Sequence, residues 1–198
     1  MRTTHLLYLH GFRSSPHSAK AKRMAALMAH EHADVRWWCP QLPPSPKEAM
    51  QLLLSGLAQW QQDAGFQRLA VIGSSLGGFY ATAVAERFDC KAVLLNPAVD
   101  PARDLSRYIG EQTAWHNASE RFFFEPHYVD ELRVLRAGTL KAPENYLAII
   151  AKGDEVLDWR EMTARYPGAQ ICLLQGGDHA LSDFETHLPL IADFLNLV

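Results

Sequence analysis

Short apolar runs alternate along this chain with stretches in which apolar residues return every third or fourth position. Residues 5–10, 35–39, 69–72, 91–95, 146–151 and 170–174 are compact runs dominated by aliphatic and aromatic side chains, the pattern of strands buried on both faces. Between them the period becomes helical. Ala21, Met24, Ala25 and Met28 form one stripe, with Pro16 expected in the first turn of the helix that carries them. Met50, Leu53, Leu54 and Leu57 form another, behind Ser45-Pro46-Lys47-Glu48, which fits a capping box with proline at the first helical position. Further helices are predicted over residues 79–87, 126–136 and 158–166, and from about 187, where Leu188, Ile191, Phe194 and Leu195 turn inward.

Strands alternating with helices predict an α/β fold of about six mainly parallel strands, with helices on both faces and ligands beyond the carboxyl ends of the strands. A chain of 198 residues supports one well-buried core, so a single domain over residues 1–198 is expected. Residues 98–144 break the alternation. No strand is predicted there, and Trp115 with Phe122, Phe123 and Phe124 marks an insertion at about 100–140 that reads either as a small lid or as a helical crossover with core aromatics.

Chemistry concentrates where the run ending at Ile72 meets the Ala-rich helix. Gly73-Ser74-Ser75-Leu76-Gly77 matches G-x-S-x-G, the turn on which a serine stands above a sheet at strained backbone angles. The bare pattern is common. A strand before it and a helix after it are the context that gives it meaning, and Ser75 is the candidate nucleophile. The amide of Leu76, at the helix N-terminus, is placed to receive a developing oxyanion.

Composition then narrows the partners. A formal charge of −3 and an isoelectric point near 6.3, with no Lys/Arg cluster, give no reason to expect nucleic acid. Cys39, Cys90 and Cys172 lack metal-ligand spacing and read as core thiols of a reducing compartment. No apolar run approaches ~20 residues and no signal-peptide profile precedes the first strand, so a cytoplasmic protein without a membrane partner is expected. Oligomeric state leaves no trace in the sequence.

A serine hydroxyl needs a base, and the base needs an acid to hold its tautomer. Of the nine histidines, His179 alone follows the last strand and precedes the last helix, where a base can reach the top of the sheet. After the fifth strand, Asp154 and Asp158 compete for the acid role. Asp158 has another duty as N-cap of Asp158-Trp159-Arg160-Glu161, with Glu161 as the reciprocal partner of a capping box, which favours Asp154. Asp178 is too near His179 in sequence to orient its ring, and Asp100 is a minor candidate. The order Ser75, Asp154, His179 is the one found on α/β-hydrolase sheets. The loop His10-Gly11-Phe12 offers the second oxyanion donor at the Phe12 amide, with His10 as a loop brace.

Tyr8-Leu-His-Gly-Phe-Arg-Ser-Ser-Pro16, Pro40-Gln-Leu-Pro-Pro44, Gly73-Ser-Ser-Leu-Gly-Gly78, Asn96-Pro-Ala-Val99, Gly153-Asp-Glu-Val-Leu-Asp158 and Gly177-Asp-His-Ala180 resemble segments of the small YqiA-type esterases of the α/β-hydrolase superfamily. The resemblance implies a reduced α/β-hydrolase fold and a cytoplasmic serine esterase acting on a small-molecule acyl ester or thioester, with no cofactor and no metal. Against the wider superfamily, Asp158 stands where a proline is common, and Phe12 follows His-Gly where lipases continue with glycines, which implies a narrower acyl site. The readings left open are a carboxylic ester hydrolase of small acyl groups, an acyl-CoA thioesterase and a non-catalytic ligand-binding hydrolase fold.

Overall fold

The computed structural model describes residues 2–115 and 117–197. Its centre is a parallel sheet of six strands: β1 (His5–Leu9), β2 (Arg36–Trp38), β3 (Leu69–Ser74), β4 (Lys91–Leu95), and two later strands, Tyr146–Ala151 and Gln170–Leu174. Between β4 and those last two strands lie β5 (Gly110–Ala114) and β6 (Asn117–Phe124), which pair only with each other, so the last two become β7 and β8. The sheet order is β2-β1-β3-β4-β7-β8.

Period-two alternation sorts the buried strands onto two helical layers. Leu7, Leu9, Val71, Leu94 and Ile150 pack toward α2 (Pro46–Trp60) and α3 (Leu76–Phe88), while Leu6, Tyr8, Ile72, Val93 and Ile149 pack toward α1 (Ala19–Glu31). Three shorter helices, α4 (Pro101–Leu105), α5 (Tyr128–Leu135) and α6 (Trp159–Arg165), join the α2 and α3 layer, and α7 (Leu188–Phe194) joins α1. Among the described residues no helix is long and apolar enough to cross a membrane.

From β1 the chain steps outward to β2, then crosses back to place β3 on the other side of β1. That reversal opens a crevice between the carboxyl ends of β1 and β3, the position where parallel sheets bind ligands. Leu9 pairs with Gly73 in register, so the loops at His10 and at Ser75 leave the sheet side by side.

Three expectations need correction. Residues 98–144 do contain strands: β5 and β6 form an antiparallel hairpin. Three consecutive phenylalanines hid its alternation, because Phe124 is buried while Phe123 between its neighbours is exposed. Pro16 is not in the first turn of α1. It is the second residue of a turn in which Ser18 N donates to Ser15 O, a position its fixed φ suits, and Ser18 then caps the helix by accepting from Ala21 N. At α6, Asp158 is the N-cap and accepts from Arg160 N, but Glu161 does not reach back. Its carboxylate takes a two-pronged bond from Arg103 at 2.6 and 2.9 Å.

Candidate active site

At the end of β3 the backbone turns into α3 within one residue, and that residue is Ser75, at φ 55° and ψ −121°. A non-glycine held there costs on the order of 1–3 kcal/mol and persists only where its surroundings fix it. Here Ser75 N donates to Leu95 O at 3.0 Å, and Ser75 O accepts from Gly78 N at 2.8 Å and Ala98 N at 3.0 Å. The turn is also too tight for side chains on either flank. A Cβ at Gly73 would lie 2.2 Å from Gly77 O, and one at Gly77 would lie 2.0 Å from Leu9 O.

The loop after β8 carries His179 across the sheet edge. Its Nε2 is 3.0 Å from Ser75 Oγ and its Nδ1 is 2.7 Å from Asp154 Oδ2. Asp154 follows β7, its side chain wholly buried. The other carboxylate oxygen accepts from Val156 N and Leu157 N, each at 2.8 Å, so neither oxygen is left unpaired by burial. A carboxylate only accepts, which puts the imidazole proton on Nδ1 and leaves Nε2 to accept from the serine hydroxyl.

The structure thus brings Ser75, His179 and Asp154 into one hydrogen-bonded line, and leaves the other acids outside it. Asp158 caps α6, Asp100 caps α4, and Asp178 bonds Ser182 through its amide and hydroxyl. Those two bonds hold the Asp178 carboxyl below its ordinary range.

Gly11 lies against Ser75, since a Cβ there would be 3.2 Å from the serine Cβ. This seats Phe12 beside Ser75 and Leu76 around one cavity. The Phe12 ring is gripped by Tyr108, Phe122 and Phe124 of the insertion. His10 is buried and acts as a brace, its Nε2 accepting from Leu42 N at 3.0 Å and its Nδ1 lying 3.0 Å from Gly11 O.

Supports that the sequence reading missed surround this line. Asn96, wholly buried and at φ 41°, donates through Nδ2 to Asp178 O and His179 O and accepts at Oδ1 from Ala151 N. Glu155 accepts from His179 N at 3.0 Å. Lys20 of α1 donates to Ala180 O. An Asn-Pro pair closing a buried strand is the one signal that could have pointed to Asn96, whereas the other two contacts exist only after the loops meet.

Two cavities flank Ser75. A compact one of about 140 Å³ runs past Leu76 between Ala98, Leu105, Tyr108 and Leu157. A larger one of about 580 Å³ opens between α1 and the loop carrying His179. Trp115, 73% exposed, stands at the rim of both. Among the described residues no group of three or more His, Cys, Asp or Glu side chains could hold a metal ion.

Residues 5–196 match the uncharacterised protein family UPF0227. A UPF0227 protein of Shewanella sediminis is 27% identical over 188 residues, covering 94% of this chain and 96% of its own length. Among solved structures, mouse alpha/beta hydrolase domain-containing protein 10 superposes with a TM-score of 0.74 at 15% identity, over 98% of this chain and 90% of the other. The monoacylglycerol lipase of Paleococcus ferrophilus gives 0.71 at 15% identity, over 100% and 96%. The sheet and its helices are therefore an α/β-hydrolase fold.

Proposed function

The chain belongs to the UPF0227 family, and from that premise we propose that it is a serine hydrolase cleaving carboxylic esters of small acyl groups through an acyl-enzyme. The observation that carries this reading is the unbroken line from Ser75 Oγ through the His179 ring to Asp154, at 3.0 and 2.7 Å.

In the first step Ser75 Oγ attacks the acyl carbon while His179 Nε2 takes its proton. Asp154 holds the ring and stabilises the imidazolium. The oxyanion forms beside the amides of Leu76 and Phe12, the first at the N-terminus of α3, where unpaired donors and the helix dipole favour negative charge. His179 then returns the proton to the departing alcohol, and water repeats the sequence on the acyl-enzyme. The compact cavity beyond Leu76 supports the preference for small acyl groups, since a void of about 150 Å³ takes a benzene ring and little more.

Replacing Ser75 by Ala is expected to lower turnover of an aryl butyrate by at least ~10⁴-fold and to abolish labelling by a fluorophosphonate. Esterase activity retained in Ser75→Ala would remove the proposal.

A further inference from the structure

The larger cavity says something about the other half of the substrate. Resting on the hydrolase reading above, we propose that it receives a neutral, polyhydroxylated alcohol, the leaving group of a sugar- or glycerol-like ester, and that the Tyr8 hydroxyl is one of the groups recognising it.

Its position assigns it to the alcohol. With the acyl carbonyl held at the amides of Leu76 and Phe12, as proposed above, the compact cavity past Leu76 is the space this reading gives to the acyl chain. The remaining substituent on the acyl carbon must face His179 Nε2, which protonates it as the C–O bond breaks. The large cavity is built from the loop that carries this histidine, including Ala180, Ser182 and Glu185.

Its lining selects hydroxyls over charge. Arg23 of α1 is matched by Glu185 at 2.6 Å. Lys20 spends one donor on Ala180 O. Burial pulls its ammonium below the ordinary lysine value, while Asp178 and Asp154 pull it back up. With Arg23 paired to Glu185, and Lys20 bonded to Ala180 O and acted on by Asp178 and Asp154 from outside the lining, an anionic group entering here meets no uncompensated positive charge. Ser14, Ser18 and Ser182 line the same space; the Ser182 hydroxyl donates to Asp178 and can only accept from a ligand, while those of Ser14 and Ser18 can give as well as accept. Tyr8 contributes to the lining with a wholly buried side chain whose hydroxyl has no partner among the described residues. A buried hydroxyl without a partner is costly, and a hydroxylated ligand is what would relieve it. Burial also keeps this phenol protonated, able to donate as well as accept.

The test holds the acyl group at butyryl and varies the alcohol: ethanol, glycerol, methyl glucoside, glycerol phosphate, and coenzyme A as the thioester. Glycerol and glucoside esters are expected to exceed ethyl butyrate in kcat/KM by about tenfold or more, with no gain from the phosphorylated alcohol or coenzyme A. Tyr8→Phe should lower the hydroxylated-to-ethyl ratio by about tenfold, the worth of one hydrogen bond. Ala19→Trp, placed on the exposed first residue of α1 where it narrows the cavity, should lower the same ratio and decides the matter if Tyr8→Phe fails to fold. A wild-type ratio near one, a lead for the charged alcohols, or a ratio untouched by the variants would overturn the inference. Fluorophosphonate labelling of the same preparations separates the two levels. Labelled protein without a hydroxyl preference loses only this inference, and protein that is neither labelled nor active loses the hydrolase reading with it.

Discussion

The Asp154 carboxylate is wholly buried and held by three hydrogen bonds, so its role can be probed without moving the backbone. Asparagine is nearly isosteric, yet its amide nitrogen can donate to Nδ1 and so favour the wrong imidazole tautomer. Asp154→Asn is therefore expected to lower kcat by ~10³–10⁴-fold with little change in melting temperature. A loss below about tenfold would point to another acid, with Asp158 the next to test. Ser75, His179 and Asp154 were legible in the sequence because each follows a strand and sits in a short glycine-bearing motif. The competition between Asp154 and Asp158 could be argued there from capping alone. Tyr8 and Lys20 were not legible. A tyrosine within an apolar strand and a lysine in the first turn of a helix look ordinary until the loop from β8 closes over them.

At the scale of elements, the hairpin β5–β6 is where the sequence reading fell short, and it is tied directly to the candidate oxyanion loop. Arg13, at φ 60°, donates through Nε to Thr113 O at 2.6 Å and accepts at its carbonyl from Trp115 N at 2.8 Å. Its guanidinium carbon also lies 4.1 Å from the centre of the Trp115 ring. The neighbouring Phe12 ring is packed among Tyr108, Phe122 and Phe124. We propose that the hairpin is a fixed roof that holds the Phe12 amide rather than a lid that swings. Removing one oxyanion donor costs ~10²–10³ in kcat, and loosening it should cost part of that. Arg13→Ala is accordingly expected to lower kcat about tenfold and to speed amide hydrogen exchange across residues 110–124. Unchanged kcat with faster exchange would separate the hairpin from the chemistry. The central strands and longer helices were readable from their periods. The hairpin was not, because its first strand is largely polar and two-stranded pairing is invisible until both partners are known.

Over the whole molecule, alternation of strands and helices announced a parallel sheet, but not the reversal that sets β1 between β2 and β3. Strand order is decided by packing between residues far apart in the chain. Such packing also buries His5 at the amino end of β1, between Trp60 and Phe66 and with its Nε2 3.6 Å from Asp63. Burial pushes this imidazole below the ordinary value of 6.5, although Asp63 pulls the other way. The unfolded chain then binds a proton that the folded one resists, so His5 costs stability as pH falls below about 6.5 and costs nothing well above it. Melting temperature is expected to drop between pH 7 and 5, and His5→Phe should flatten that slope. An equally steep slope in the variant would assign the acid sensitivity elsewhere. The buried amide of Asn96 has a wider reach. It follows the strand end that pins Ser75, grips the chain three residues ahead of Asp154, and holds the carbonyls of Asp178 and His179. With one shared anchor, the three loops move as a unit, and thermal drift of any one is resisted by the other two.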